Sequence, residues 1–158
     1  MDTSAYRNEA SVIIERSAEE VYDLVSDVSQ MGRWSPVGTG GSYDADGEWF
    51  TGTNVMGEAT WETRCRVVAA DRGREFTFIN YGIQGRMELV RWSFAMRAID
   101  EGRTELTQSW AVLPDYAEGN DWDEDSARAV LELMKTQALE GMPATLAALK
   151  HDAEASAR

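Results

Sequence analysis

Four stretches in the middle of the chain alternate between two kinds of side chain. Trp61, Thr63, Cys65, Val67 and Ala69 fall on one side of such a pattern, and Glu62, Arg64 and Arg66 on the other. Phe76, Phe78 and Asn80 oppose Glu75, Thr77 and Ile79, and Trp92, Phe94 and Met96 oppose Arg91, Ser93 and Arg97. Leu106, Gln108, Trp110 and Val112 oppose Glu105, Thr107 and Ser109. Successive side chains of a strand point to opposite faces, so each stretch predicts a strand with one face on a core and one in water. That is the pattern of an antiparallel sheet solvated on one side. The turn Asp100-Glu101-Gly102 joins the last two stretches closely enough to make them a hairpin.

The flanking segments read differently. Ala10 to Ile14 is a β-branched run that predicts a first strand. Ser17-Ala18-Glu19-Glu20 has the form of a capping box, and Val21, Leu24, Val25 and Val28 follow at helical spacing, which predicts a helix over 18–26. A second helical turn runs from Asp27 towards Trp34 and ends before Pro36, because proline disfavours helical geometry in the residue preceding it. Between Gly38 and Gly57 six glycines stand among Tyr43, Trp49, Phe50 and Val55, a texture of strands with tight turns or bulges. The acidic segment Asp115 to Asp125 reads as a solvated loop, with Asp123, Glu124 and Asp125 at the positive end of a following helix. Its spacing does not fit an EF-hand. From about 126 to 153 a helical stripe runs through Ala127, Val130, Leu131, Met134, Ala138, Met142, Leu146 and Leu149. Pro143 predicts a kink near Leu139 to Met142, with Gly141 absorbing the bend. The order of elements predicts one α+β domain over 1–158, its core within 10–150.

Composition removes functions. With 15 Lys and Arg against 28 Asp and Glu, the net charge is −13 and the field of the chain repels nucleic acid. The single Cys excludes a disulfide framework and a multi-cysteine zinc site, and the single His removes most histidine-based metal and acid–base sets. Cys65 falls on an inner face with no histidine to activate it, and His151 falls near the end of the last helix. Gly38-Thr39-Gly40-Gly41 lacks the Lys-Ser/Thr of a phosphate loop. Alternation turns Arg64 and Arg66 outward. No nucleophile with its base is visible, so the sequence assigns no catalytic residue, no metal ligand and no cofactor. The N-terminus is polar and no apolar run reaches the roughly 18 residues of a membrane span, so a cytoplasmic protein without membrane insertion is expected.

Three motifs together resemble a known family. Ser11 through Asp27 is similar to the strand and capped helix that open the START/Bet v 1 superfamily. Met31-Gly32-Arg33-Trp34-Ser35-Pro36 is like its Trp-x-Pro segment, and Trp92-Ser93-Phe94 with Gly102 through Thr107 is similar to its last hairpin. Within the superfamily the chain resembles the polyketide cyclase/dehydrase-like branch. The resemblance implies a helix-grip fold: a curved antiparallel sheet of six to seven strands around a long C-terminal helix, with two short helices after the first strand. A bent sheet and a long helix cannot touch throughout, which leaves an apolar cavity for a lipid or polyketide-like molecule. The lining expected on this reading is Trp34, Trp61, Thr63, Phe78, Asn80, Trp92, Phe94, Gln108, Trp110, Met134 and Ala138. Thr63, Asn80 and Gln108 make that face too polar for plain core. Binding without chemistry is the first expectation, and an aromatase/cyclase or dehydratase using the same cavity is the alternative. A homodimer is left open.

Overall fold

Ser17 accepts a hydrogen bond from the Glu20 amide, and the Glu20 side chain accepts from the Ser17 amide. This reciprocal cap starts helix α1, Ala18–Ser26, after strand β1, Arg7–Ile14. The structure is a computed structural model and describes residues 1–155. A 3-10 turn, Val28–Arg33, follows α1 where a second short helix was expected, and it ends at Trp34, two residues before Pro36. Six strands come next: β2 (Gly38–Tyr43), β3 (Trp49–Met56), β4 (Ala59–Asp71), β5 (Glu75–Asn80), β6 (Val90–Asp100) and β7 (Arg103–Val112). Helix α2 (Tyr116–Gly119) and the long helix α3 (Glu124–Ala155) complete the described chain.

The seven strands form one curved antiparallel sheet in the order β1-β7-β6-β5-β4-β3-β2. Every pairing joins neighbours in sequence except that of β1, which crosses to β7. The alternation read from sequence holds along β6 and β7 and along the first part of β4. It fails at Ala69. A register shift between Val67 and Ala69 leaves Val68 as an extra residue, so Val67 stands opposite Phe78 but Ala69 opposite Thr77, on the outer face. A bulge reverses the parity of every residue after it. On β5 the outer face is also buried: Thr77 shares a hydrogen bond with Ser93, and Ile79 is covered between Arg66 and Arg91 of the neighbouring strands.

The acidic segment is not simply a solvated loop, because its α2 turn buries Tyr116 and Ala117 against the core. Asp123 then accepts from the backbone and hydroxyl of Ser126 and caps the start of α3. The helix is continuous through Pro143. Proline has no N–H to give, so the Leu139 carbonyl loses its usual partner at that point.

Helix α3 runs alongside β1, the edge strand. Asn8 Nδ2 meets Met142 Sδ at 3.8 Å, Lys150 Nζ donates to the Ile13 carbonyl at 2.7 Å, and the Glu15 amide donates to Glu154 at 3.0 Å. The last two contacts plug free backbone groups at the end of β1. The buried apolar residues fall into two clusters. One lies under α1 and contains Ile14, Val21, Trp34, Phe50, Phe94, Leu106 and Leu149; the other contains Tyr6, Val90, Trp110, Tyr116, Leu131 and Met142.

Candidate functional site

Helix α3 is buried towards its two ends and at most half-buried between them. Ala127 and Leu131 are buried near its start, and Met142, Thr145, Leu146 and Leu149 beyond its middle. No residue from 132 to 141 is buried. Ten residues of helix span about 15 Å, and over that length α3 is only partly buried, with Met134 and Ala138 packed against the second cluster. Met134, Lys135, Ala138 and Gly141 are the half-buried positions there. Gly141 faces Pro36: a methyl group added there would lie 3.7 Å from Pro36 Cγ, in ordinary contact.

The sheet beneath shows the same contrast between buried and half-buried positions. Trp92 lies on β6, third of the seven strands, with Phe78 opposite on one side and Trp110 on the other. Both neighbours are buried, yet Trp92 keeps accessible surface and touches both core clusters. An inner-face tryptophan of an interior strand remains accessible only if there is open space above it. Ala10 shares its position between the two clusters.

The residues expected to line a cavity divide accordingly. Trp61, Asn80, Trp92, Met134 and Ala138 retain surface. Trp34, Thr63, Phe78, Phe94, Gln108 and Trp110 are buried. Trp34 and Phe94 belong to the first cluster, where Phe78 meets Phe50 edge to face at 5.1 Å between ring centres.

The three polar inner-face residues have three different fates. Thr63 is engaged by Asn54 Nδ2 at 3.4 Å and by Cys65 Sγ at 3.9 Å. Asn80 spends its carboxamide oxygen on the Gly82 amide at 2.6 Å and thereby folds the turn after β5, where Gly82 has φ +68°. Gln108 is different. It is only 5% exposed, and its Oε1 is buried without a hydrogen-bond partner. A buried polar atom left in this state costs about 1–3 kcal/mol, so a fold that keeps it needs a compensating group.

Other groups are excluded from chemistry by their surroundings. Burial pushes the Cys65 thiol up to about 12, which leaves it protonated and inert at neutral pH. Arg64 and Arg66 lie on the outer face, paired with Asp44 at 2.9 Å and Glu48 at 2.9 Å, and Arg64 also stacks on Trp49 at 5.2 Å. Tyr116 donates to Met134 Sδ at 3.3 Å, and burial raises its phenol above the usual range. Among the described residues no cluster of His, Cys, Asp and Glu is arranged to hold a metal.

A concavity of about 430 Å³ lies elsewhere, where Ala10, Val12 and Leu146 meet Lys150, His151 and Glu154. It is wide open, and Lys150 and Glu154 are bound to one another and to the backbone of β1. That groove is part of how the sheet edge is closed.

A seven-stranded antiparallel sheet gripping one long helix defines the helix-grip class of ligand-binding folds. The chain belongs to the family described as polyketide cyclase / dehydrase and lipid transport, whose model matches residues 7–154. It is similar to the polyketide cyclase-like protein Cgl2372 of Corynebacterium glutamicum, with 33% identity over 97% of this chain and 94% of that one and a TM-score of 0.66. It shares its fold with the Zhui aromatase/cyclase of Streptomyces sp. R1128, at 17% identity over 96% and 95% of the two chains and a TM-score of 0.68. A START superfamily protein of Mycobacterium smegmatis is similar at 16% identity over 94% and 97%, with a TM-score of 0.66. No protein of curated function matches the chain. No described helix is long and apolar enough to cross a membrane.

Proposed function

We propose that this protein binds an apolar or aromatic small molecule between the inner face of the sheet and the middle of α3. One observation carries the reading: Trp92 stays accessible in an interior strand, beneath a helix whose residues 132–141 are never buried. Trp92 would supply the flat apolar floor and Met134 and Ala138 the roof. The family's description, which includes lipid transport, supports the same class of ligand. The charge of −13 supports a partner that is neither nucleic acid nor an anionic membrane, and a cytoplasmic protein fits that reading.

Native mass spectrometry of the protein purified from its own source tests the proposal. A co-purified apolar molecule, lost in Trp92→Ala, is the expected result. A protein that arrives empty and leaves the fluorescence of an aromatic probe such as 1-naphthol unchanged overturns it.

A second reading, cyclisation or dehydration of a polyketone, draws on Gln108. A buried carboxamide with an unsatisfied bonding position can orient a ligand carbonyl or hydroxyl. Turnover of a reactive polyketone that disappears in Gln108→Leu would favour it over binding alone.

A further inference from the structure

Strand β1 lies at the edge of the sheet and pairs on one side only, with β7. The Val112 amide donates to the Tyr6 carbonyl at 2.9 Å, and the register runs on from there with Arg7 opposite Ala111 and Asn8 opposite Trp110. Along an antiparallel ladder, pairs that exchange hydrogen bonds alternate with pairs that do not. Asn8, Ala10, Val12 and Ile14 therefore turn their backbone groups to β7, while Arg7, Glu9, Ser11 and Ile13 turn theirs away. Two contacts agree with this parity: the outward Ile13 carbonyl accepts from Lys150, and the outward Glu15 amide donates to Glu154. They close only the far end of the edge. The amides and carbonyls of Glu9 and Ser11 have no partner among the described residues. Ser11 also borders the groove of about 430 Å³, whose apolar lining is Ala10, Val12, Pro143, Leu146 and Ala147. The bare edge thus runs beside an apolar trough.

We propose that this edge takes up an extended peptide as an added strand, apolar on the side facing α3 and basic on the other. Backbone hydrogen bonds to Glu9 and Ser11 hold it, in the manner of strand addition to an open sheet edge. Successive side chains of a strand point to opposite faces, so every second one enters the trough and those between them face outward. The outward side chain opposite Glu9 meets a carboxylate that is exposed and has no ion pair among the described residues. A lysine or arginine there makes a favourable cross-strand pair. The net charge of −13 acts in the same direction, because its field attracts a cationic chain and repels a second copy of this one. The edge is separate from the ligand site proposed above and does not depend on it.

A labelled peptide, fluorescein-Val-Lys-Val-Lys-Val-amide, is long enough to lie along residues 8–12 with its lysines opposite Glu9 and Ser11, short of Arg7. Its binding to the whole protein can be followed by fluorescence anisotropy. Saturable binding is expected, weakened about tenfold or more when the two lysine amides are N-methylated, since those amides face β1. Ser11→Pro removes an edge amide that the β7 ladder does not use and should cause a similar loss. Ser11→Ala, which removes only the hydroxyl bonded to Thr107, should bind as the wild type does. A peptide with glutamates in place of the lysines should bind about tenfold more weakly or worse. Melting curves report whether the variants fold, and if Ser11→Pro does not, the N-methylated peptide decides the matter on the wild type alone. Equal binding of the methylated and unmethylated peptides overturns the proposal, as does no binding at all or equal binding of the glutamate peptide. A wild-type dimer that Ser11→Pro converts to monomer in sedimentation also overturns it, since the edge would then belong to a second copy.

Discussion

Trp92 and Trp110 stand directly opposite each other across the β6–β7 ladder, and only Trp110 is buried. Paired residues on one face of a sheet ordinarily share an environment. The difference between these two locates the edge of the packed core to within one strand spacing, about 5 Å.

The two tryptophans should respond differently to truncation. Trp110→Ala removes a ring that is 1% exposed and should cost about 3–5 kcal/mol of stability. Trp92→Ala should cost less than half of that and should weaken binding of 1-naphthol at least tenfold. Chemical denaturation and fluorescence titration of the two variants measure both effects. Equal stability losses with unchanged affinity would place Trp92 in the core.

Cys65 should be silent towards thiol reagents. Its pKa, pushed from 9.0 to about 12 by burial, leaves essentially no thiolate at pH 8, and the side chain is 2% exposed. Ellman's reagent should therefore label the protein only after denaturant is added. The raised value also has a stability consequence. The thiol's contribution is complete below pH 9, where both states are protonated, and declines as pH rises through 9 towards 12. Melting points between pH 8 and 11 should fall less steeply in Cys65→Ala than in the wild type.

In acid the carboxylates decide the outcome. The Arg72 hydrogen bond lowers Asp23, the Ser126 amide lowers Asp123, and the Lys150 hydrogen bond lowers Glu154. A carboxylate held below its ordinary value stabilises the fold above that value and stops doing so as pH falls through the folded value. The melting temperature should be level from pH 7 to 5 and should drop below about 4.5, the ordinary glutamate value. These groups are at the surface, so added salt should shrink the drop.

The N-terminal cap of α1 offers a purely local test. Ser17→Ala removes the acceptor for the Glu20 amide and the hydroxyl that bonds the Glu20 carboxylate at 3.0 Å. A loss of about 1 kcal/mol is expected in urea denaturation, with ligand affinity unchanged.

Sequence alone went far on the frame because the frame depends on local patterns. The capping box at Ser17 and Glu20 and the hairpin at Asp100 to Gly102 each depend on residues a few positions apart. The bulge at Val68 was illegible, since nothing in Val67-Val68-Ala69-Ala70 marks which residue lacks a partner. Only the register against β5 decides that. The candidate site was partly legible: the inner-face strand residues followed from alternation, but which of them stay open depends on where α3 lifts away.

The crossing of β1 to the far side of the chain sets how this protein must fold. Arg7 pairs with Ala111 and Ile14 with Thr104, so the first strand has no hydrogen-bonding neighbour until the last strand exists. The β6–β7 hairpin and α1 need only nearby residues and can form within microseconds. Closing a loop of about a hundred residues carries a larger entropy cost before any contact rewards it, and sheets built on such pairings fold on the scale of about milliseconds to seconds. Until then the apolar run from Ala10 to Ile14 is an unclaimed strand, and only the arrival of β7 and α3 covers its apolar face and closes the far end of its edge.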